Sequence, residues 1–173
     1  MARALLPLLL VIGLALAQGG PPNPSPEMRQ RFEAYRPVFD LIATVGLMSE
    51  VDRQRGLAFS KAQAQRLLPI LRDLQSRNDL KPTEASKILS TIEDSILTPA
   101  QLKWMDETLL KRREEARQRR SGNSTPGQVG PSGGPSRGGM LQAIAQGGPY
   151  NPFKEQPRLA EDLRNLIGVL ARR

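Results

Sequence analysis

The chain has 173 residues, a formal net charge of +8, and neither Cys nor His. The missing Cys excludes disulfides, thiolate metal sites, thiol nucleophiles and a lipid-modified cysteine, and the missing His removes the commonest general base and metal ligand. Arg, at 19 residues, far outnumbers Lys, at 6, and the forked guanidinium is the better partner for phosphate and carboxylate. With seven aromatic residues in all, any core rests on Leu, Ile and Ala.

Met1-Ala2-Arg3 supplies one positive charge, the apolar stretch Ala4 to Leu16 follows, and Ala15-Leu16-Ala17 precedes Gln18. A charged start, a short apolar region and an A-x-A site predict a secretory signal peptide over residues 1–17. The apolar run is shorter than the ~20 residues a membrane span needs. Residues 18–25 read as a Pro-rich linker, because Pro21, Pro22 and Pro24 stop any helix.

Ser25-Pro26-Glu27 has the form of a helix start, with a cap residue, Pro in the first turn and an acid beside it. Met28, Phe32, Tyr35, Phe39 and Ile42 follow at spacings of four and three, and Pro37 divides this stripe into segments expected at about 26–36 and 37–53. Three later segments share one plan: Phe59-Ser60-Lys61-Ala62-Gln63, Leu80-Lys81-Pro82-Thr83-Glu84 and Leu97-Thr98-Pro99-Ala100-Gln101. Ser60 with Gln63 and Thr98 with Gln101 form capping boxes, and the apolar residue before each cap is placed as a hydrophobic staple. Lys81 is a poor cap, so the middle start is the weakest of the three. Leu67, Ile70, Leu71 and Leu74 line one helix face, and Ala85, Ile88, Leu89, Ile92 and Ile96 line another. Leu102, Met105 and Leu109 continue the pattern beside Trp104.

Lys111 to Arg120 breaks that pattern, with six basic residues against two acidic and no apolar face. The segment reads either as a solvated helix end whose cations suit the helix dipole, or as an electrostatic docking surface built from Arg112, Arg113, Arg117, Arg119 and Arg120. Residues 121–156 are expected to be a disordered linker, on the strength of the Gly, Ser and Pro that fill residues 121–139. An octapeptide recurs with one difference, Ala17-Gln18-Gly19-Gly20-Pro21-Pro22-Asn23-Pro24 and Ala145-Gln146-Gly147-Gly148-Pro149-Tyr150-Asn151-Pro152. It is either a product of composition bias or a short docking motif in which Tyr150 and Phe153 are the apolar contacts. Residues 157–173 predict an amphipathic helix through Leu159, Leu163, Leu166, Ile167 and Leu170, which either packs back on the bundle or binds a partner or membrane surface.

The predicted fold is all-α: a small bundle or hairpin array of four to five short helices over 26–120, then the linker and the C-terminal amphipathic helix. At Leu97, Thr98 and Gln101 the sequence resembles the Leu-Thr-x-x-Gln motif of the Spy/CpxP-like periplasmic helical proteins. The resemblance covers residues 37–120 at most and carries one clear copy of the motif, the Phe59 to Gln63 segment being a degenerate relative. It implies a chaperone-like or stress-regulatory role in the bacterial envelope, performed by dimers that shield unfolding clients.

The composition and the lack of a catalytic constellation point to a non-enzymatic exported protein of the periplasm or medium, with no cofactor and no metal. Adjacent carboxylates such as Asp106 and Glu107, or Glu114 and Glu115, point in different directions on a helix and are more simply solvated. The expected partners are an envelope protein or client, an anionic membrane or polymer surface, and a second copy of the chain. Nucleic acid is not expected for an exported protein. The alternative function is a structural adaptor that attaches to anionic surfaces through its Arg-rich helix end.

Overall fold

The computed structural model describes residues 26–122, 142 and 149–173. The expected signal peptide, the linker at 18–25, the first copy of the octapeptide and most of the Gly/Pro/Ser stretch lie outside the described residues. The described residues form an all-α fold with seven helices: α1 Pro26–Ala34, α2 Arg36–Val51, α3 Lys61–Ser76, α4 Pro82–Ser95, α5 Pro99–Gly122, α6 Pro152–Glu155 and α7 Pro157–Leu170. None of them is long and apolar enough to cross a membrane.

α2 is the hub, touching α1, α4, α5 and α7, while α3 packs against α6 and α7. The break between α1 and α2 falls at Tyr35, two residues before Pro37, whose ring cannot follow a continuous helical turn. That restart shifts the phase of the apolar face. Phe32, Tyr35, Phe39 and Ile42, expected as a single stripe, are only partly buried. The fully buried face of α2 is instead Val38, Leu41, Val45 and Met48, joined by Thr44, Leu47 and Val51. Sheltered by helices on several sides, α2 buries more of its circumference than one stripe.

Ser60 and Gln63 form the expected capping box at the head of α3: each backbone N–H is accepted by the other side chain, at 3.0 and 3.2 Å. Thr98 and Gln101 do the same at the head of α5, at 2.9 and 3.3 Å. Lys81 caps α4 with no side-chain bond, and Pro82 in the first turn makes up for part of that loss. The three residues placed as staples, Phe59, Leu80 and Leu97, are all buried. Pro69 lies in the middle of α3 and is solvent-exposed, where water can satisfy the carbonyl it leaves without a donor. Between α2 and α3 the chain turns at Gly56, whose φ of +82° is a conformation that side chains with a Cβ resist.

The C-terminal region departs from the expected layout. Within residues 149–156, assigned to the linker on composition, Tyr150, Asn151, Pro152 and Phe153 are buried in the core. The Asn151 amide nitrogen donates to the Leu74 and Arg77 carbonyls at the end of α3, at 2.7 and 2.9 Å. Its oxygen accepts the Phe153 N–H at 3.0 Å, so one side chain caps the end of α3 and the start of α6. The Leu80 N–H donates to the Tyr150 carbonyl, and the Tyr150 N–H to Asp79. α7 then buries Leu163, Leu166 and Leu170 against α2 and α3. The amphipathic tail therefore packs back on the bundle, completing one continuous apolar cluster with the other helices.

Candidate interaction surface

Leu97, Thr98 and Gln101, the residues that carry the motif, sit at a junction of the core. Gln101 is 2% exposed. Its amide nitrogen donates to the Leu57 carbonyl at 2.8 Å, and its oxygen accepts from both the Thr98 N–H and the Gln63 amide. Gln63 in turn donates to the Ile96 carbonyl at 2.8 Å. The two capping boxes are thus welded through their glutamines, joining the heads of α3 and α5 and the loop after α2. With Leu97 buried and the Gln101 polar atoms engaged, the chemistry of these residues is structural.

A second buried polar link lies close in sequence. Asp52, 9% exposed, accepts the Phe59 N–H at 2.9 Å and the Arg173 guanidinium at 2.7 and 2.8 Å. It clasps the C-terminal residues onto the turn after α2.

α5 is the helix that leaves the bundle. Met105 is its last fully buried residue and Leu109 the last partly buried one; every residue from Leu110 to Arg119 is exposed. Lys111, Arg112, Arg113, Arg117 and Arg119 stand there against Glu114 and Glu115. Arg120 follows on the same helix, its side chain outside the described ones. Arg112 pairs with Glu50 on α2 at 2.5 Å. Among the described residues Arg113, Arg117 and Arg119 have no ion-pair partner, so the extension presents uncompensated guanidiniums to solvent.

At the root of the extension, α2, α4 and α5 enclose an open groove of about 410 Å³. Ala43, Leu89, Leu109 and Leu110 supply apolar lining, Asp40, Glu93 and Asp106 supply carboxylates, and Arg113 lines the same groove as a counter-charge, while Asp40 also pairs with Arg36 at 3.8 Å. Leu110 is 57% exposed, and Val169 is the other large apolar residue counted as exposed among the described residues. Burial pushes the Glu93 carboxyl above its ordinary pKa; the Thr44 hydroxyl, donating at 3.3 Å, opposes this, and the negative Asp106, Asp94 and Asp40 add to it. Among the described residues no three carboxylates converge closely enough to hold a metal ion. Asp106 thus faces the groove, whereas its neighbour Glu107 pairs with Lys103 at 3.9 Å on the exposed side. Asp40 and Glu93 come from elements far apart in sequence and carried no signal of a shared site.

The chain matches no protein-family profile, no curated protein and no solved structure.

Proposed function

We propose that this chain is an exported, non-enzymatic interaction protein that attaches to anionic surfaces of the cell envelope through the Arg-rich end of α5. The supporting observation is the projection of α5 from Leu110 to Arg119 as an exposed helix, bearing five cations of which Arg112 alone is paired with an acid of another helix. A helix end that merely tolerated solvent would need no such excess of guanidiniums, which bind phosphate and carboxylate bidentately. The sequence features of a signal peptide favour an anionic lipid or envelope polymer as the surface met. A client-shielding role draws less support, because it needs a broad apolar face and, among the described residues, the exposed large apolar side chains are Leu110 and Val169.

The experiment is vesicle sedimentation of the protein and a variant with Arg112, Arg113, Arg117, Arg119 and Arg120 all changed to Gln. Gln has nearly the helix propensity of Arg, so circular dichroism should be almost unchanged. The native protein should pellet with anionic vesicles and not with neutral ones, and should release as salt shortens the Debye length below about 10 Å. Each basic residue at an anionic surface contributes about 1 kcal/mol, so the variant should bind at least about tenfold more weakly. Equal, salt-insensitive binding by the two proteins would overturn the proposal.

A further inference from the structure

The C-terminal ends of α2 and α7 are held side by side, because the Arg173 guanidinium reaches back to Asp52. Between the two helices lies a cavity of about 300 Å³, at the small end of the range that ligand pockets occupy. Leu166 and Val169 of α7 give it an apolar wall, and Val169 is 37% exposed. Asp52 also lines it, but its carboxylate is committed to Arg173 and the Phe59 N–H. The remaining lining is polar and unspent. Among the described residues the Ser49 hydroxyl, the Asp162 carboxylate and the Asn165 amide have no hydrogen-bond or ion-pair partner. Arg53 uses only its Nε, which donates to the Ser49 carbonyl at 2.9 Å and folds the side chain back along α2. Its terminal N–H groups are left over. Arg53 and Asp162 thus bring opposite charges to one cavity without pairing with each other. That arrangement is complementary to a small molecule carrying both signs.

We propose that this cavity binds a short zwitterionic peptide, of dipeptide size, with an apolar side chain. The ligand carboxylate pairs with the Arg53 guanidinium, whose planar fork matches its two oxygens, and the ligand ammonium pairs with Asp162. Asn165 is one helical turn from Asp162, and Ser49 is the residue over which the Arg53 side chain folds. Each therefore neighbours one of the two charged groups. An amide and a hydroxyl both donate and accept, which suits the N–H and C=O of a peptide bond lying between the charged ends. The apolar side chain rests on Leu166 and Val169, taking Val169 out of water. A simple anion would be repelled by Asp162, and a simple amine would leave Arg53 unpaired. A single amino acid would satisfy both ends and leave Ser49 and Asn165 unused. None of these residues belongs to the Arg-rich end of α5, so the site stands or falls independently of attachment to an anionic surface.

The test is a titration of the full chain with alanyl-leucine, followed through amide chemical shifts in two-dimensional NMR. Its N-acetylated form lacks the ammonium, and its C-amidated form lacks the carboxylate. Saturable shifts should appear at Ser49, Arg53, Asn165 and Val169, with a dissociation constant of about 1 mM or below. Each capped form should bind about tenfold more weakly or worse, the usual weight of a charge-assisted hydrogen bond. Arg53 and Asp162 are both exposed, so Arg53→Gln and Asp162→Asn should keep the native helix content. Arg53→Gln should bind the free dipeptide about tenfold more weakly and no longer prefer it to the amidated form. Asp162→Asn should likewise lose its preference over the acetylated form. A merely structural role for either residue would not exchange these preferences. The assignment is overturned by the absence of saturable shifts up to about 10 mM dipeptide, or by shifts confined to the Arg-rich end of α5. Capped dipeptides that bind as tightly as the free one would overturn it too, as would variants that bind as the native protein does.

Discussion

Gln63 and Gln101 each perform two tasks that a lone capping residue performs once. Each returns a hydrogen bond to its own cap residue, and the Gln63 amide also donates to Gln101 at 2.8 Å. Gln101→Ala would leave the part-buried Leu57 carbonyl without its donor, a loss of about 1–3 kcal/mol. Gln63→Ala should cost a similar amount through the Ile96 carbonyl. Since both single changes remove the same shared bond, the double variant should cost less than their sum by about 0.5 kcal/mol or more. Urea unfolding of the four proteins in this cycle measures the difference, and additive costs would mean that the two boxes act independently. The boxes themselves were legible in sequence, as Ser or Thr followed three residues later by Gln. Their union was not, because 38 positions separate the glutamines and only the tertiary fold brings the heads of α3 and α5 together.

Glu93 makes an opposite contribution at the same scale. Burial, with three negative neighbours, raises its pKa above the ordinary carboxylate value, so the folded chain holds this proton to a higher pH than the unfolded chain does. Folding is then favoured by the protonated group, and that advantage is lost as pH rises through the folded-state pKa. At neutral pH the ionised Glu93 opposes folding. Glu93→Gln, which keeps an oxygen for the Thr44 hydroxyl, should therefore raise the urea midpoint at pH 7. The gain should vanish below about pH 4, where the native carboxyl is protonated as well. A gain that persists undiminished in acid would show that charge is not its cause.

Among the elements, the segment before α7 shows how composition can mislead. Pro149 to Gln156 continues a Gly- and Pro-rich run, and Gly and Pro are the usual content of a linker. Yet Phe153 is among the largest fully buried side chains, and Asn151 is 0% exposed. Phe153→Ala should cost about 3–5 kcal/mol in urea unfolding, the usual loss for a truncated core aromatic. A residue of a true linker would change stability by no more than about 0.5 kcal/mol. The clue was present in the recurring octapeptide, since its second copy differs by placing Tyr150 before Asn-Pro, with Phe153 just after. Whether those aromatics found a place in the bundle depended on the end of α3, where the Leu74 and Arg77 carbonyls receive the Asn151 amide. The phase of α2 was hidden for a similar reason. A stripe read across Pro37 assumes one continuous helix, and the restart at Arg36 turns a different set of residues inward.

At the scale of the whole molecule, α5 joins a closed core to an open charge distribution. Its first turns bury Gln101 and Met105, and its remaining turns carry the cations outward. The sequence alone determined the helical class, two of the capped starts, the exposed Arg-rich end and the faces of α3, α4 and α7. Each follows from local chemistry: a cap and its glutamine lie within one turn, and an apolar stripe repeats every three or four residues. Tertiary structure alone decided which surfaces those pieces share. It brought Asp40 and Glu93 beside Asp106, joined Gln63 to Gln101, and tied Arg173 to Asp52 across 121 positions. Contacts between distant segments form only when the packing of the core outweighs the entropy of closing the chain between them, and no local pattern records that balance.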